Sequence, residues 1–193
     1  MNGFEINWLE LAAAAVGAWS VWLSTREHLW AWPTAIVNVL LYVVVFREAK
    51  LYADMGLQFV YAGISVYGWY HWMHGGANDG VLRVSRTPAA TWAWLVGIAA
   101  AGSLGLGRVL SSTTDAALPQ LDASLSVISL AAQWMMTRKF VENWLVWIAL
   151  DVVYVGLFIV KALYVTAGLY AVFLVLAVMG WFSWRESLRR PVA

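Results

Sequence analysis

The chain of 193 residues contains no cysteine, which excludes disulfides, thiolate zinc sites and thiol nucleophiles. Charge is scarce as well: charged residues make up 12% of the chain and the net charge is only +1. That leaves no basic surface of the kind nucleic acid binding requires. The three histidines, His28, His71 and His74, stand near the ends of apolar segments without a carboxylate cluster beside them. No metal, cofactor or catalytic group is therefore expected, and an enzyme is the weaker reading. The start MNGFEINWLE lacks the basic region and small-residue cleavage site of a signal peptide, so the first apolar segment is expected to be retained.

What the chain has in abundance is apolar surface. Hydrophobic residues reach 62% and the mean hydropathy is +0.69, beyond what a water-soluble domain of this length carries. The composition predicts an all-α integral membrane protein, 1–193 forming a single membrane domain. Seven apolar segments approach the length that crosses a bilayer of about 30 Å as a helix. They run over 8–24, 30–46, 51–72, 89–108, 119–136, 142–161 and 163–184. TREH, REAK, HGGANDG and SSTTD break the chain between them. The 14 Trp and 8 Tyr suit the headgroup level, and some can stack on a flat ligand.

Basic residues give the orientation, because cytoplasmic loops carry the excess. With seven spans, Arg26, Arg83, Arg86, Arg138, Lys139, Arg185, Arg189 and Arg190 fall on one side, against Arg47, Lys50, Arg108 and Lys161 on the other. The N-terminus, with Glu5 and Glu10, is expected outside and the C-terminus in the cytoplasm.

Sliding the chain against itself by 112 positions (164 − 52, for Tyr164 and Tyr52) aligns Thr25 with Thr137, Arg26 with Arg138 and Trp32 with Trp144. Tyr42/Tyr154, Phe46/Phe158, Gly68/Gly180, Trp69/Trp181 and Trp72/Trp184 coincide too, without a gap. A fixed offset means duplicated architecture. Two three-span units, about 8–72 and 119–184, point the same way because a linking helix at about 89–108 stands between them. This 3+1+3 plan is that of parallel-repeat, SWEET-like transporters, which hold substrate between the repeats near mid-membrane.

Polar residues inside the spans mark the candidate site. Asn143, Trp147, Asp151 and Tyr154 fall on one face of a helix, as do Asp54, Gln58, Tyr61 and Ser65, and Asp122, Ser126, Ser129 and Gln133. An Asp at mid-membrane costs roughly 2.5 to 3.5 kcal/mol, so it normally faces a protein interior or wet cavity. Interhelical hydrogen bonding is the competing role for the Ser, Asn and Gln residues. The repeats differ at these positions: Asn143 faces Ala31, Asp151 faces Val39, Asn38 faces Leu150 and Gln58 faces Tyr170. An asymmetric ligand on a pseudo-two-fold axis needs such differences.

The stretches LYADMGLQFVYAGISVYGWYHW (51–72) and TRKFVENWLVWIALDVVYVGLFIVKALYVTAGLY (137–170) resemble the PnuC family of vitamin-precursor transporters over nearly the whole chain. The resemblance implies a SWEET-like fold, a homotrimer, and uptake of nicotinamide riboside for NAD biosynthesis by facilitated diffusion across the bacterial inner membrane, drawn inward by phosphorylation. It places Asn143, Trp144, Trp147 and Gln58 among the substrate contacts, with Asn38 where relatives carry a polar residue. The chemistry agrees. An aromatic face such as Trp147 can hold a cationic ring, amides can meet a carboxamide or ribose, and Asp151 can either complement the ring charge or accept a hydrogen bond from Tyr154. Thiamine, riboflavin and deoxyribonucleosides are the alternative cargoes. A retinal protein fits less well, since 163–184 contains no lysine and Lys161 lies at a span end.

Overall fold

In a computed structural model, which describes residues 8–48, 52–77, 80–114 and 118–189, the described residues form seven helices. They are α1 (Trp8–Thr25), α2 (Ala31–Glu48), α3 (Tyr52–His74), α4 (Ala89–Thr113), α5 (Pro119–Thr137), α6 (Asn143–Val160) and α7 (Tyr164–Arg189). Most boundaries fall within two residues of the hydropathy reading. α4 and α7 each run five residues further, to Thr113 and Arg189; in α4 Ser111, Ser112 and Thr113 return their hydroxyls to the carbonyls of Arg108 and Val109 at 2.7–2.9 Å, which leaves the polar tail compatible with helix. α2, α4, α6 and α7 are long and apolar enough to cross a membrane by length and composition. Glu5, Lys50 and Arg190, used above for orientation, lie outside the described residues, as do the side chains of Glu10 and Asp54.

Each of six helices touches two neighbours, in the closed order α1, α2, α3, α5, α6, α7 and back to α1, while α4 leans on α5 from outside. Two seams close this ring, α3 against α5 and α7 against α1. Each seam carries an indole. Trp72 Nε1 donates to the carbonyl of Met136 at 3.0 Å, and Trp184 Nε1 donates to the carbonyl of Ser24 at 3.0 Å. Donor and acceptor positions both differ by 112 (184 − 72 and 136 − 24). The same offset relates two edge-to-face pairs, Trp32 with Trp72 at 5.2 Å and Trp144 with Trp184 at 5.4 Å. Trp72 and Trp184 meet at 5.9 Å, so the four rings form one core with Val141, Met136 and Ala177.

Two glycines make room for this core. A methyl group added at Gly68 would overlap the ring of Trp32, and one at Gly180 would overlap the ring of Trp144. Small residues that let a neighbour approach closely are the usual device where lipid supplies no hydrophobic drive between helices.

α1 and α5 end alike. Glu27 (φ 55°) and Lys139 (φ 50°) take the left-handed conformation, and the next residue returns a hydrogen bond to the helix, His28 N to Leu23 O at 3.0 Å and Phe140 N to Met135 O at 3.1 Å. This is the Schellman stop, where glycine is the usual occupant. A charged residue there costs about 1 to 2 kcal/mol of backbone strain, and both side chains are used: Lys139 Nζ meets Glu27 Oε2 at 3.0 Å and stands 4.5 Å from the Trp72 ring. Lys139 is buried, with 3% of its surface exposed.

Gly68→Ala and Gly180→Ala should each lower stability by about 1 to 3 kcal/mol through overpacking, whereas Gly56→Ala and Gly168→Ala, where a Cβ meets open space, should be neutral or better. Thermal unfolding in detergent distinguishes them. Glu27→Gln should cost about 1 to 3 kcal/mol by leaving Lys139 buried without its counter-charge. The reversed pair Glu27→Lys with Lys139→Glu should recover part of that loss, measured in the same melts.

Candidate functional site

The interior of the ring is lined with phenols. Tyr61 on α3 reaches Ser129 on α5, oxygen to oxygen, at 2.6 Å. Ser129 gives its own proton to the Ser126 carbonyl at 2.8 Å, so Tyr61 is the donor between them. The polar faces of α3 and α5 thus meet. Tyr154 on α6 packs 4.6 Å from Tyr170 on α7 and stacks on Phe158, and at the same offset of 112 Tyr42 stacks on Phe46 in α2. Tyr170 lies within electrostatic reach of Tyr154, Asp151, Tyr42 and Tyr61. Tyr154 lies within reach of Tyr61, Asp122 and Asp151. Residues of α2, α3, α5, α6 and α7 therefore converge.

Asp151 is the distinctive member. It is buried, with 4% of its surface exposed, yet it accepts no hydrogen bond and makes no ion pair among the described residues. The bond from Tyr154 considered above is absent there, and the Tyr154 ring packs on Phe158 and Tyr170. The position equivalent to Asp151 is Val39, also buried at 7%. One half of the fold fills this place with a methyl-bearing side chain and the other with a carboxyl group.

Along α6, Trp147 stands one turn before Asp151 and packs against both hydrophobic clusters, the tryptophan core and that of Leu125, Ala132 and Leu150. Another turn back, Asn143 is fully buried. Its Nδ2 donates to the Phe140 carbonyl at 2.6 Å, while its Oδ1 has no partner. Trp144 lies within the tryptophan core with its indole N–H also unpartnered. Buried polar atoms without a partner are rare, and α6 brings two of them together at its first turn.

The remaining sequence-selected residues sit differently. Gln58 is half-buried on the Tyr61 face of α3, one turn before it, and makes no hydrogen bond to the described residues. Asn38 spends its amide on α1, donating to the Ala13 carbonyl at 2.6 Å against Gly17. The structure groups Tyr61, Asp151 and Tyr154, strings Trp147, Asn143 and Trp144 along the same helix, and ties Asn38 to packing. Tyr42, Tyr170 and the Glu27–Lys139 pair escaped the sequence reading. Opposite charges at equivalent repeat positions are the signal that would have exposed that pair.

A groove of about 800 Å³ lies elsewhere, between α4 and the α5–α6 pair, lined by residues such as Ala99, Ser103, Gln120, Ile128 and Val146; none of the sequence-selected site residues lines it. Among the described residues no group of three His, Asp or Glu side chains gathers to hold a metal.

Comparison with known proteins joins this geometry to a family. The chain is 26% identical over 213 residues to the nicotinamide riboside transporter PnuC of Escherichia coli (strain K12), covering 97% of this chain and 89% of that relative. It is 27% identical over 192 residues to the riboflavin/roseoflavin transporter RibM of Streptomyces davaonensis, covering 96% and 88%. The crystal structure of the vitamin B3 transporter PnuC superposes with a TM-score of 0.76 at 23% identity, covering 97% of this chain and 84% of that one, which establishes the fold. The model of the family described as nicotinamide mononucleotide transporter matches residues 7–186, nearly the whole length, and the chain, a multi-pass membrane transporter, belongs to that family.

Proposed function

We propose that this protein carries nicotinamide riboside by facilitated diffusion through a site between two parallel three-helix units, α1–α3 and α5–α7, joined by α4 in a 3+1+3 SWEET-like plan of seven spans. The observation that carries the reading is the buried, unpartnered carboxyl group of Asp151 beside Tyr154, Tyr170 and Tyr61. A cationic pyridinium ring supplies the counter-charge that Asp151 lacks, and phenol and indole faces favour a cation by about 0.5 to 2 kcal/mol each. Names of relatives support the substrate: those of Escherichia coli, Neisseria mucosa and Haemophilus influenzae are nicotinamide riboside transporters.

Within the site, Trp147 stacks on the ring and Asp151 faces its charge. Asn143 Oδ1 and the Trp144 indole N–H, both unpartnered, offer an acceptor and a donor to the polar end of the ligand. Gln58, Tyr61 and Tyr154 meet ribose hydroxyls or carboxamide, and Asn38 sets the packing of α2 behind them. The carrier sits in the bacterial inner membrane with its N-terminus outside and C-terminus in the cytoplasm, following its basic residues. It assembles as a homotrimer, as its resemblance to the PnuC family implies.

One observation favours a second cargo: a relative at 27% identity is a riboflavin/roseoflavin transporter. Flavins are large and uncharged at the ring, so Asp151 separates the two readings. Calorimetric titration of the purified protein against nicotinamide riboside, thiamine and riboflavin tests them, and tight binding of riboflavin alone would reverse the assignment.

Asp151→Asn should weaken nicotinamide riboside binding by about 1 to 2 kcal/mol, roughly five- to thirty-fold, without comparable effect on any flavin binding. Trp147→Ala should lose more affinity than Trp147→Phe, which keeps a π-face. Asn143→Ala should cost about 1 to 3 kcal/mol. Unchanged affinity in intact oligomers of all three would remove this face of α6 from the site. For orientation, reporter fusions should place a C-terminal tag inside intact cells, and a tag reachable from outside would invert the topology.

A further inference from the structure

The connection between α3 and α4 crosses the α5–α6 turn as a short extended strap. Ser85 N–H donates to the Lys139 carbonyl at 3.0 Å, and Val141 N–H donates to the Ser85 carbonyl at 2.9 Å, making a lone parallel bridge with Phe140. Two residues on, Thr87 gives its N–H and its hydroxyl to Glu142 Oε2, both at 2.8 Å. Arg86 is held between these anchors. Opposite it, the last turns of α7 present Trp181, Arg185 and Arg189. Together with Glu142 these residues line a pocket of about 70 Å³, outside the phenol-lined interior.

Its charge is unbalanced. Three guanidinium groups face one carboxylate, an excess of two positive charges (3 − 1), and that carboxylate already accepts two hydrogen bonds from Thr87. Arg86, Arg185 and Arg189 make no ion pair with another described residue. Arg185 is held 5.1 Å over the Trp181 ring, while Arg86 and Arg189 are exposed and able to close on a ligand. Arginine forks match the paired oxygens of a phosphate.

We propose that this pocket binds the phosphate of an anionic phospholipid. The placement favours a lipid over a soluble anion. α7 is apolar up to Phe182 and turns basic from Arg185, and Trp181 stands at that change, as aromatic residues do at the headgroup level. Val178, Met179 and Phe182 are exposed just before it, giving acyl chains an apolar wall beneath the headgroup. In the orientation proposed above, on which this inference rests, this end of α7 is cytoplasmic, where basic pockets between helices bind such headgroups.

The test is native mass spectrometry of the full-length, delipidated protein titrated with phosphatidylglycerol or with phosphatidylcholine of matched chains. The wild type should retain the anionic lipid roughly thirtyfold better, from an excess of two positive charges at about 1 kcal/mol each near the surface. Arg86→Gln with Arg189→Gln should abolish most of that preference, and each single change should remove part of it. Both residues are exposed, so elution position should not move. Equal retention of the two lipids by the wild type, or an unchanged preference in the double variant, would overturn the proposal. Titration with millimolar inorganic phosphate is the second arm: little displacement is expected, and saturable binding of phosphate that excludes the lipid would assign the pocket to a soluble phosphate instead.

Discussion

Backbone carbonyls at a helix end have no partner within their own helix, and inside a membrane water does not supply one. At the ends of α1 and α5 the Ser24 and Met136 carbonyls each accept a turn bond, from Glu27 N and Lys139 N at 3.0 Å, and each takes a second bond from across its seam, Ser24 from Trp184 and Met136 from Trp72. The requirement propagates. To reach those carbonyls the two indoles must meet at the centre, Trp32 and Trp144 must pack edge-on against them, and α3 and α7 must carry Gly68 and Gly180 where those rings lie. The turns that follow place Glu27 and Lys139 close enough to pair. Closure of the ring at this end is one coupled arrangement of indoles, carbonyls and a single ion pair.

Where the two halves of the ring agree, they build; where they disagree, they carry polarity into the interior. Gly68/Gly180 and Trp72/Trp184 are identical and structural, and the rings of Trp32/Trp144 are packed alike against them. Val39/Asp151 and Gln58/Tyr170 are unlike, and three of these four side chains are polar groups buried or half-buried within the ring. A carboxyl group buried without a partner costs several kcal/mol. Its presence in one half alone breaks the symmetry of the interior at the level where Tyr154 and Tyr170 meet.

The helices were legible because lipid-facing segments need no periodicity, only length and apolarity, and short polar breaks separate them. α4 outran its apolar segment since side-chain hydroxyls can satisfy themselves on the preceding turn, a local bond that hydropathy does not register. α3 and α5 fall below the hydropathy of a free-standing span; they carry Gln58, Tyr61 and Ser129 on their inner faces. Spacing put Asn143, Trp147, Asp151 and Tyr154 on one face, yet it carried no information on which ring Tyr154 would prefer. Stacking on Phe158 and Tyr170 decided that, and Phe158 itself recurs as Phe46 beside Tyr42. Asn38 was singled out as polar within an apolar run; only the third dimension brings the Ala13 carbonyl to its amide. The pairing of Glu27 with Lys139 was hidden because a search for identical residues at an offset of 112 passes over a pair whose value lies in being opposite.

The two seams are not equally furnished. Between α3 and α5 the Trp72 bond is joined by Tyr61 to Ser129 and by Arg138, which stands 3.2 Å from both the Tyr67 hydroxyl and His71 Nε2. Between α7 and α1 the only side-chain hydrogen bond among the described residues is that of Trp184. Separating the two halves at the tryptophan end would break both indole bonds and the ion pair together, since Glu27 precedes α2 and Lys139 precedes α6 in turns fixed by the same carbonyls. Net hydrogen bonds contribute about 1 kcal/mol each, and a buried charge left alone costs more. A motion that keeps Glu27 on Lys139 while one indole lets go is therefore cheaper than full separation, and the seam with fewer bonds is the one that yields first.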